Sequence, residues 1–163
     1  MFDVTALGEL LIDFGPKSVD AAGYPTLAAN PGGAPGNFLA ALNKYGCSVA
    51  MIGKVGEDMF GRLLLNTLKE AGIETRGVVV DPDQFTTLAF VSLDASGNRD
   101  FSFARKPGAD TCLKAEEMDA DLIQNSRVFH FGTLSLTNDP ARDATHKAVA
   151  MAKAAGKYIS LDP

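Results

Sequence analysis

Two glycine-rich segments, each running into an amphipathic stretch, constrain this chain more than any other feature. They lie within residues 30–61: Pro31-Gly32-Gly33-Ala34-Pro35-Gly36 first, then Gly53-Lys54-Val55-Gly56-Glu57-Asp58. After the first, Phe38, Leu39, Leu42 and Tyr45 recur at helical spacing, and Gly46 sits where a left-handed cap ends a helix. Residues 48–52 read as a short apolar strand. After the second, Phe60, Leu64 and Leu68 fall four apart with Leu63 beside them, predicting a helix over 58–71 that Gly72 closes. Glu57 and Asp58 stand at its positive end. Glycine ahead of a helix lets backbone N–H groups approach a small ligand at a strand end. Spacing does not name that ligand. Gly-Gly-x-x-Gly is neither the dinucleotide fingerprint nor the phosphate loop, and neither pattern occurs in the chain. Taken alone, ordinary turn glycines also explain it.

The rest continues a β/α alternation, with one interruption. Residues 3–7 read as a strand and Gly8-Glu9 as a break. Leu10, Leu11 and Ile12 then lead to Asp13 and Phe14, before Gly15-Pro16 is expected to turn the chain. An aspartate ending an apolar strand is either a solvated turn residue or a carboxylate at the rim of a cleft, where burial is unfavourable unless something pairs with it. Residues 19–27 hold two short extended pieces, and 76–80 another strand. Alternating strands over 86–93 and 99–105 flank Asp94-Ala95-Ser96-Gly97-Asn98, a hairpin inserted into the layer pattern. Period two puts Phe101, Phe103 and Arg105 on one face. That trio suits a cover over a polyhydroxylated ligand; alternatively the rings pack on the domain and the arginine ends in water. Residues 112–123 read as a short helical passage whose acids form a solvated face. Residues 127–131 read as a buried strand in which His130 is a packed histidine. Asp139-Pro140 is expected to cap a helix whose stripe is Ala144, Ala148, Met151 and Ala155, ending at Gly156. A strand over 157–161 follows, then Asp162-Pro163.

Composition narrows the classes. With 163 residues, 46% hydrophobic and 21% charged, the chain suits one ordinary domain. A net charge of −5 and no basic cluster beyond two neighbours argue against a nucleic-acid surface. No apolar run approaches the ~20 residues of a membrane span, and no leader precedes the first strand, so a cytoplasmic protein without a membrane partner is expected. Cys47 and Cys112 lack C-x-x-C spacing and read as idle thiols; His130 and His146 share no metal motif.

Gly32-Gly33, then Asn37, then the helix, then Gly-Lys-Val-Gly-x-Asp-x-Phe-Gly from Gly53 to Gly61, resembles the first signature of the PfkB (ribokinase-like) sugar kinases. The resemblance implies a three-layer α/β/α, Rossmann-like doubly wound sheet with a small β-hairpin lid. It implies that Asp13 accepts hydrogen bonds from substrate hydroxyls. The lid in that family closes over the sugar and often seals a neighbouring subunit, which implies a homodimer. In the fructokinase and 2-keto-3-deoxygluconate kinase branches the lid's exit resembles residues 103–110 here; Arg105 matches the arginine that reaches substrate, and Phe103 is a weaker match. The implied substrate-binding set is Asp13, Gly32, Gly33, Asn37, Phe103 and Arg105. The loop 133–138 sits where the family often lines the sugar pocket.

The resemblance also implies what lies outside these residues. Residues 1–163 match the N-terminal, sugar-binding part of one kinase domain, with lid segments near 13–30 and 86–105. The nucleotide-binding part, with the Gly-Ala-Gly-Asp motif and its catalytic base, is not among them. ATP and Mg²⁺ thus belong to a full-length parent, and the chain has no catalytic, cofactor-binding or metal residue to name. Phosphoryl transfer needs an in-line hydroxyl, charge neutralisation and a base within reach, so this chain alone is expected to be inactive. The expected parent reaction moves the γ-phosphoryl of ATP to a sugar hydroxyl, fructose first. The alternatives are a 2-keto-3-deoxygluconate, ribose or nucleoside kinase, or a stand-alone sugar-binding module. Arg105 leans towards a sugar bearing a carbonyl or carboxylate.

Overall fold

A computed structural model of the protein describes residues 1–93, 96 and 98–163. In chain order its elements are β1 (Phe2–Leu7), β2 (Leu11–Val19), β3 (Pro25–Gly32), α1 (Ala34–Lys44), β4 (Val49–Gly56), α2 (Met59–Glu70) and β5 (Glu74–Asp81). Then follow β6 (Thr87–Leu93), β7 (Arg99–Ala104), α3 (Ala120–Gln124), β8 (Ser126–Gly132), α4 (Ala141–Ala154) and β9 (Tyr158–Asp162), with short 3₁₀ turns at Ala109–Cys112, Ala115–Glu117 and Thr133–Leu136. Most of the expected hairpin turn, at residues 94, 95 and 97, lies outside the described residues.

Five strands form a parallel sheet in the order β5-β4-β1-β8-β9. The chain starts in the middle, builds outward through β4 and β5, then returns to the other side of β1 for β8 and β9. Leu7 therefore pairs with Ile52 on one side and Phe131 on the other. Helices cover both faces, so the central strands are apolar on alternate residues of either sign. Leu39, Leu64 and Leu68 of α1 and α2 pack on Val4, Ala6, Val49, Met51 and Val55. On the opposite face α3 and α4 supply Leu122, Ile123, Ala144, Ala148 and Ala152 against Leu7, Ile52, Phe129 and Phe131. The small residues of α4 let that helix lie close to the strands. These three layers are the doubly wound architecture that the family resemblance implies.

A second sheet, ordered β3-β2-β6-β7, projects from the first. Only β6 and β7 form the expected hairpin; β2 pairs antiparallel with β3 and parallel with β6. The sequence underestimates this sheet because it expects a turn at Gly15-Pro16. Instead β2 runs through both residues. Its pairing with β6 covers only Leu11–Phe14, so Pro16 lies where one side carries no ladder, a position proline tolerates.

Other expectations also need correction. Residues 53–56 of the second glycine segment, which read as a loop after a strand ending at residue 52, are strand: β4 is buried throughout because Lys54 is neutralised by Asp81 at 2.9 Å and Glu117 at 2.8 Å. Glu117 thus faces a buried lysine rather than solvent. Tyr45 is 86% exposed, since the chain turns away at Gly46, whose φ is +86°. Leu63 is exposed as well. Asp139 does not cap α4; Pro140 holds the cap position and Asp139 pairs with Arg142. Ala152, not Ala155, completes the buried stripe. Asp58 does cap α2, accepting from the N–H groups of Phe60 and Gly61. His130 is a packed histidine, 4.2 Å from the Phe38 ring and 3.0 Å from Ser160 Oγ, and burial holds its pKa below the usual value despite the nearby Asp162 carboxylate. Among the described residues no helix is long and apolar enough to cross a membrane.

Candidate functional site

The site forms where β1 hands over to β2 and where β3 enters α1. Both connections are short, so Glu9, Asp13 and the Gly32-Gly33 pair are forced together. Gly32 ends β3 opposite Leu11, with Asp13 paired to Asn30 in the same ladder. A Cβ on Gly32 would lie 2.3 Å from Asp13 Oδ2 and 2.8 Å from Leu11 Cδ1, so only glycine lets the carboxylate lie against the backbone there. Gly33 has φ +112° and precedes α1; a Cβ on it would lie 2.4 Å from the Glu9 carbonyl oxygen.

Asp13 is half-buried, and no hydrogen bond reaches its carboxylate among the described residues. Burial pushes its pKa above the ordinary range, with the charge of Arg99 on β7 opposing. Asn37 lies one turn into α1, exposed. Together with Gly32 it borders a small cavity that Leu10, Leu64 and Leu68 line from below. Asp13, Gly32, Gly33 and Asn37 are therefore brought together.

The aromatic part of the expectation splits. Phe101 and Phe103 stack with centroids 6.2 Å apart and remain 46% and 45% exposed. Arg105, just past the end of β7, borders an open cavity with Phe103, Phe85 and Leu88, and most of its guanidinium donors are taken up within the protein. Nε and Nη2 donate to Asp110 Oδ2 at 2.9 and 2.6 Å, Nη1 to Thr137 Oγ1 at 3.1 Å, and Nη2 to the Leu134 carbonyl at 3.3 Å. Asp110 in turn accepts from Thr87 Oγ1 at 2.5 Å. The side chain thus ties the exit of the small sheet to the 133–137 segment.

Glu9 is the residue sequence reasoning missed. Read as a break between strands, it is in fact buried, 5% exposed. Its Oε1 accepts from the Ala34 N–H at 2.9 Å, the first N–H of α1, while Oε2 has no protein partner among the described residues. Burial raises its pKa; its own backbone N–H, the Ala34 N–H and Arg105 oppose the rise, and Asp110 adds to it. The only signal in the sequence was an acid enclosed by Leu7, Leu10, Leu11 and Ile12. Because the chain's own carboxylate takes the first N–H of α1, its negative charge disfavours a phosphate there, the ligand such an end ordinarily favours.

Residues 1–163 match the pfkB family of carbohydrate kinases. Fructokinase-1 of Zea mays is 44% identical over 162 residues, covering 98% of this chain and 50% of its own length. Fructokinase of Solanum tuberosum is 43% identical, with 98% and 51% covered. The crystal structure of fructokinase from Xylella fastidiosa superimposes with a TM-score of 0.92 at 34% identity, over 99% of this chain and 50% of that one. The same enzyme with bound ATP gives 0.91 at 33% identity, with 99% and 52% covered. The chain spans about half the length of the relatives it matches.

Proposed function

The chain belongs to the pfkB family of carbohydrate kinases, and from that premise we propose that it forms the acceptor-sugar half of an ATP-dependent sugar kinase acting on fructose. The observation that carries the reading is Asp13. A half-buried carboxylate without a protein donor among the described residues, laid against Gly32, which itself borders a small cavity, suits a ligand rich in hydroxyl donors. The names of the similar proteins, fructokinases from plants and a bacterium, support fructose, and the ATP-bound relative supports the nucleotide.

Each residue then has a part. Asp13 accepts hydrogen bonds from sugar hydroxyls. Gly32 and Gly33 bring the backbone to the sugar without side chains in the way, and the Asn37 amide borders the same space. Phe103 offers a ring to the sugar's C–H face. Arg105 holds the rim through Asp110, Thr137 and Leu134. Four of its five N–H donors are so engaged, which supports neutral fructose over an acid sugar such as 2-keto-3-deoxygluconate. The exposed rings of Phe101 and Phe103, on one face of the small sheet, offer it a surface for a second copy.

Bound ATP supplies the phosphoryl group. These residues do not fit its phosphates, since the one helix end at the site is capped by Glu9. The division of labour is therefore acceptor binding here and nucleotide binding elsewhere in the full-length protein. The test is steady-state kinetics of that protein with ATP and a panel of fructose, ribose and 2-keto-3-deoxygluconate. Fructose should give the highest kcat/KM, and Asp13→Ala should lower it by about 2–4 kcal/mol of transition-state binding. An unchanged kcat/KM in Asp13→Ala removes Asp13 from the site. Sugar-dependent ADP formation by the 163-residue chain alone refutes the division of labour.

A further inference from the structure

We propose that Glu9 is a second sugar-reading carboxylate, its Oε2 accepting a hydrogen bond from one hydroxyl of the acceptor; the inference rests on the sugar-kinase reading above. Its position comes first. Glu9 follows the carboxyl end of β1, and β1 is where the sheet reverses direction, with β4 and β5 on one side and β8 and β9 on the other. In open α/β sheets the crevice outside the strand ends at that reversal is where ligands bind.

The state of the side chain comes second. The bond from Ala34 fixes Oε1, and Oε2 is buried without a protein donor among the described residues. Leaving a buried acceptor unpaired is unfavourable, so a native pocket supplies a donor. A cavity lies in front of it, bordered by Glu9, Ala34, Gly132, Thr133 and Asp162. A Cβ on Gly132 would already sit 3.9 Å from Oε2, so glycine at the end of β8 keeps that approach free of a side chain.

The chemistry of the donor follows from its neighbours. Glu9 and Asp162 border the cavity, and two acids disfavour a phosphate or carboxylate ligand. Among the described residues no group of three metal-binding side chains is present, so nothing built here favours a cation. A neutral hydroxyl donor remains. The Gly32-Gly33-Ala34 turn also joins the two carboxylates: Asp13 lies against Gly32, the Glu9 carbonyl against Gly33, and Glu9 Oε1 on Ala34. Asp13 and Glu9 thus read different hydroxyls of one molecule.

The experiment uses the full-length enzyme, wild type and Glu9→Gln, with fructose and analogues in which each non-reacting hydroxyl is replaced singly by fluorine. Fluorine does not donate. At the position Glu9 reads, replacement should lower the wild-type kcat/KM by about tenfold to a hundredfold, the range of a hydrogen bond to a charged group. The same analogue should cost Glu9→Gln far less, while penalties at the other positions stay as in wild type. If Glu9→Gln lowers turnover of every analogue by one common factor, Glu9 is structural and the inference falls, with the kinase reading intact. If the wild type shows no sugar-dependent turnover, the kinase reading itself falls and takes the inference with it. Should Glu9→Gln not fold, a crystal structure of the wild-type enzyme with sugar decides. A sugar oxygen within about 3.2 Å of Oε2 upholds the assignment; a protein side chain or water in that place overturns it.

Discussion

In the full-length enzyme, Gly32→Ala puts a methyl group where the Asp13 carboxylate now lies. The Cβ would sit 2.3 Å from Oδ2 and 2.9 Å from Cγ, whereas ordinary contact begins at 3.4 Å, so the carboxylate must retreat by about 1 Å. Gly32 does not have the positive φ of Gly33, so the backbone accepts alanine and the damage stays local. Misplacing a positioning group by about 1 Å costs up to about a hundredfold in rate. Deleting the carboxylate outright costs about 30- to 900-fold, the kinetic equivalent of about 2–4 kcal/mol. Gly32→Ala should therefore lower kcat/KM for fructose by about ten- to a hundredfold, below the loss in Asp13→Ala. The double variant Asp13→Ala, Gly32→Ala should be little worse than Asp13→Ala, because the new methyl occupies space the carboxylate has left and only the end of the Leu11 side chain, 2.8 Å from it, must still shift. A coupled ADP assay on the four proteins, with thermal melts to confirm folding, completes the cycle. If Gly32→Ala keeps wild-type kcat/KM, or if the two losses simply add, Gly32 does not act through Asp13 and the reasoning fails.

Two further outcomes test the scaffold rather than the pocket. Lys54→Met leaves Asp81 and Glu117 facing an apolar side chain. It should destabilise the chain by about 3 kcal/mol, the low end for a broken buried ion pair because Glu117 is partly solvated. Urea unfolding checks it, adding Glu117→Gln should recover part of the loss, and a change under about 1 kcal/mol would contradict the buried-pair account. His130 gives a pH dependence. Its folded pKa lies below the ordinary 6.5, chiefly through burial, so between those two values the unfolded chain binds more protons and stability rises with pH. Acidifying from pH 7 to 5 should therefore weaken the wild type more than His130→Gln; equal losses in the two proteins would show that His130 does not titrate as described.

What the sequence disclosed follows from how local its causes are. The helices, Gly46 at the end of α1 and Asp58 at the start of α2 depend on neighbours within a turn, and those were legible. The β6–β7 pairing was legible because both strands flank one short turn. The parallel pairing of β2 with β6 joins Leu11 to Thr87, and no local pattern announces it. Lys54 misled for the same reason: a lysine between glycines reads as loop until Asp81 and Glu117 are known to meet it. In the candidate site, Asp13, Gly32, Gly33 and Asn37, named from the family resemblance, lie near one another because short connections carry them. Arg105 was placed by strand alternation, which ends at Ala104, and its commitment to Asp110 is a tertiary fact. Glu9 stayed hidden because an acid beside a glycine reads as a turn, although the apolar residues enclosing it were the clue.

The glycine pair alone does not say what kind of ligand it faces. A glycine turn ahead of a helix ordinarily presents free N–H groups to an anion, because those groups have no partner within the helix. Here the first of them already holds Glu9, and the glycines make room for the Asp13 carboxylate and the Glu9 carbonyl instead. The same local motif therefore faces its ligand with acceptors, not donors. A phosphate or carboxylate would meet like charge, and Arg105, whose charge acts on Glu9, is already held by Asp110. A molecule carrying many hydroxyl donors and no charge satisfies those acceptors at once, while a triphosphate has to be held by other residues. Separating an acceptor-lined pocket from a donor-lined one answers a physical problem: two ligands that react with each other need opposite surroundings. On this reading, Glu9 at the head of α1 gives these residues to the sugar.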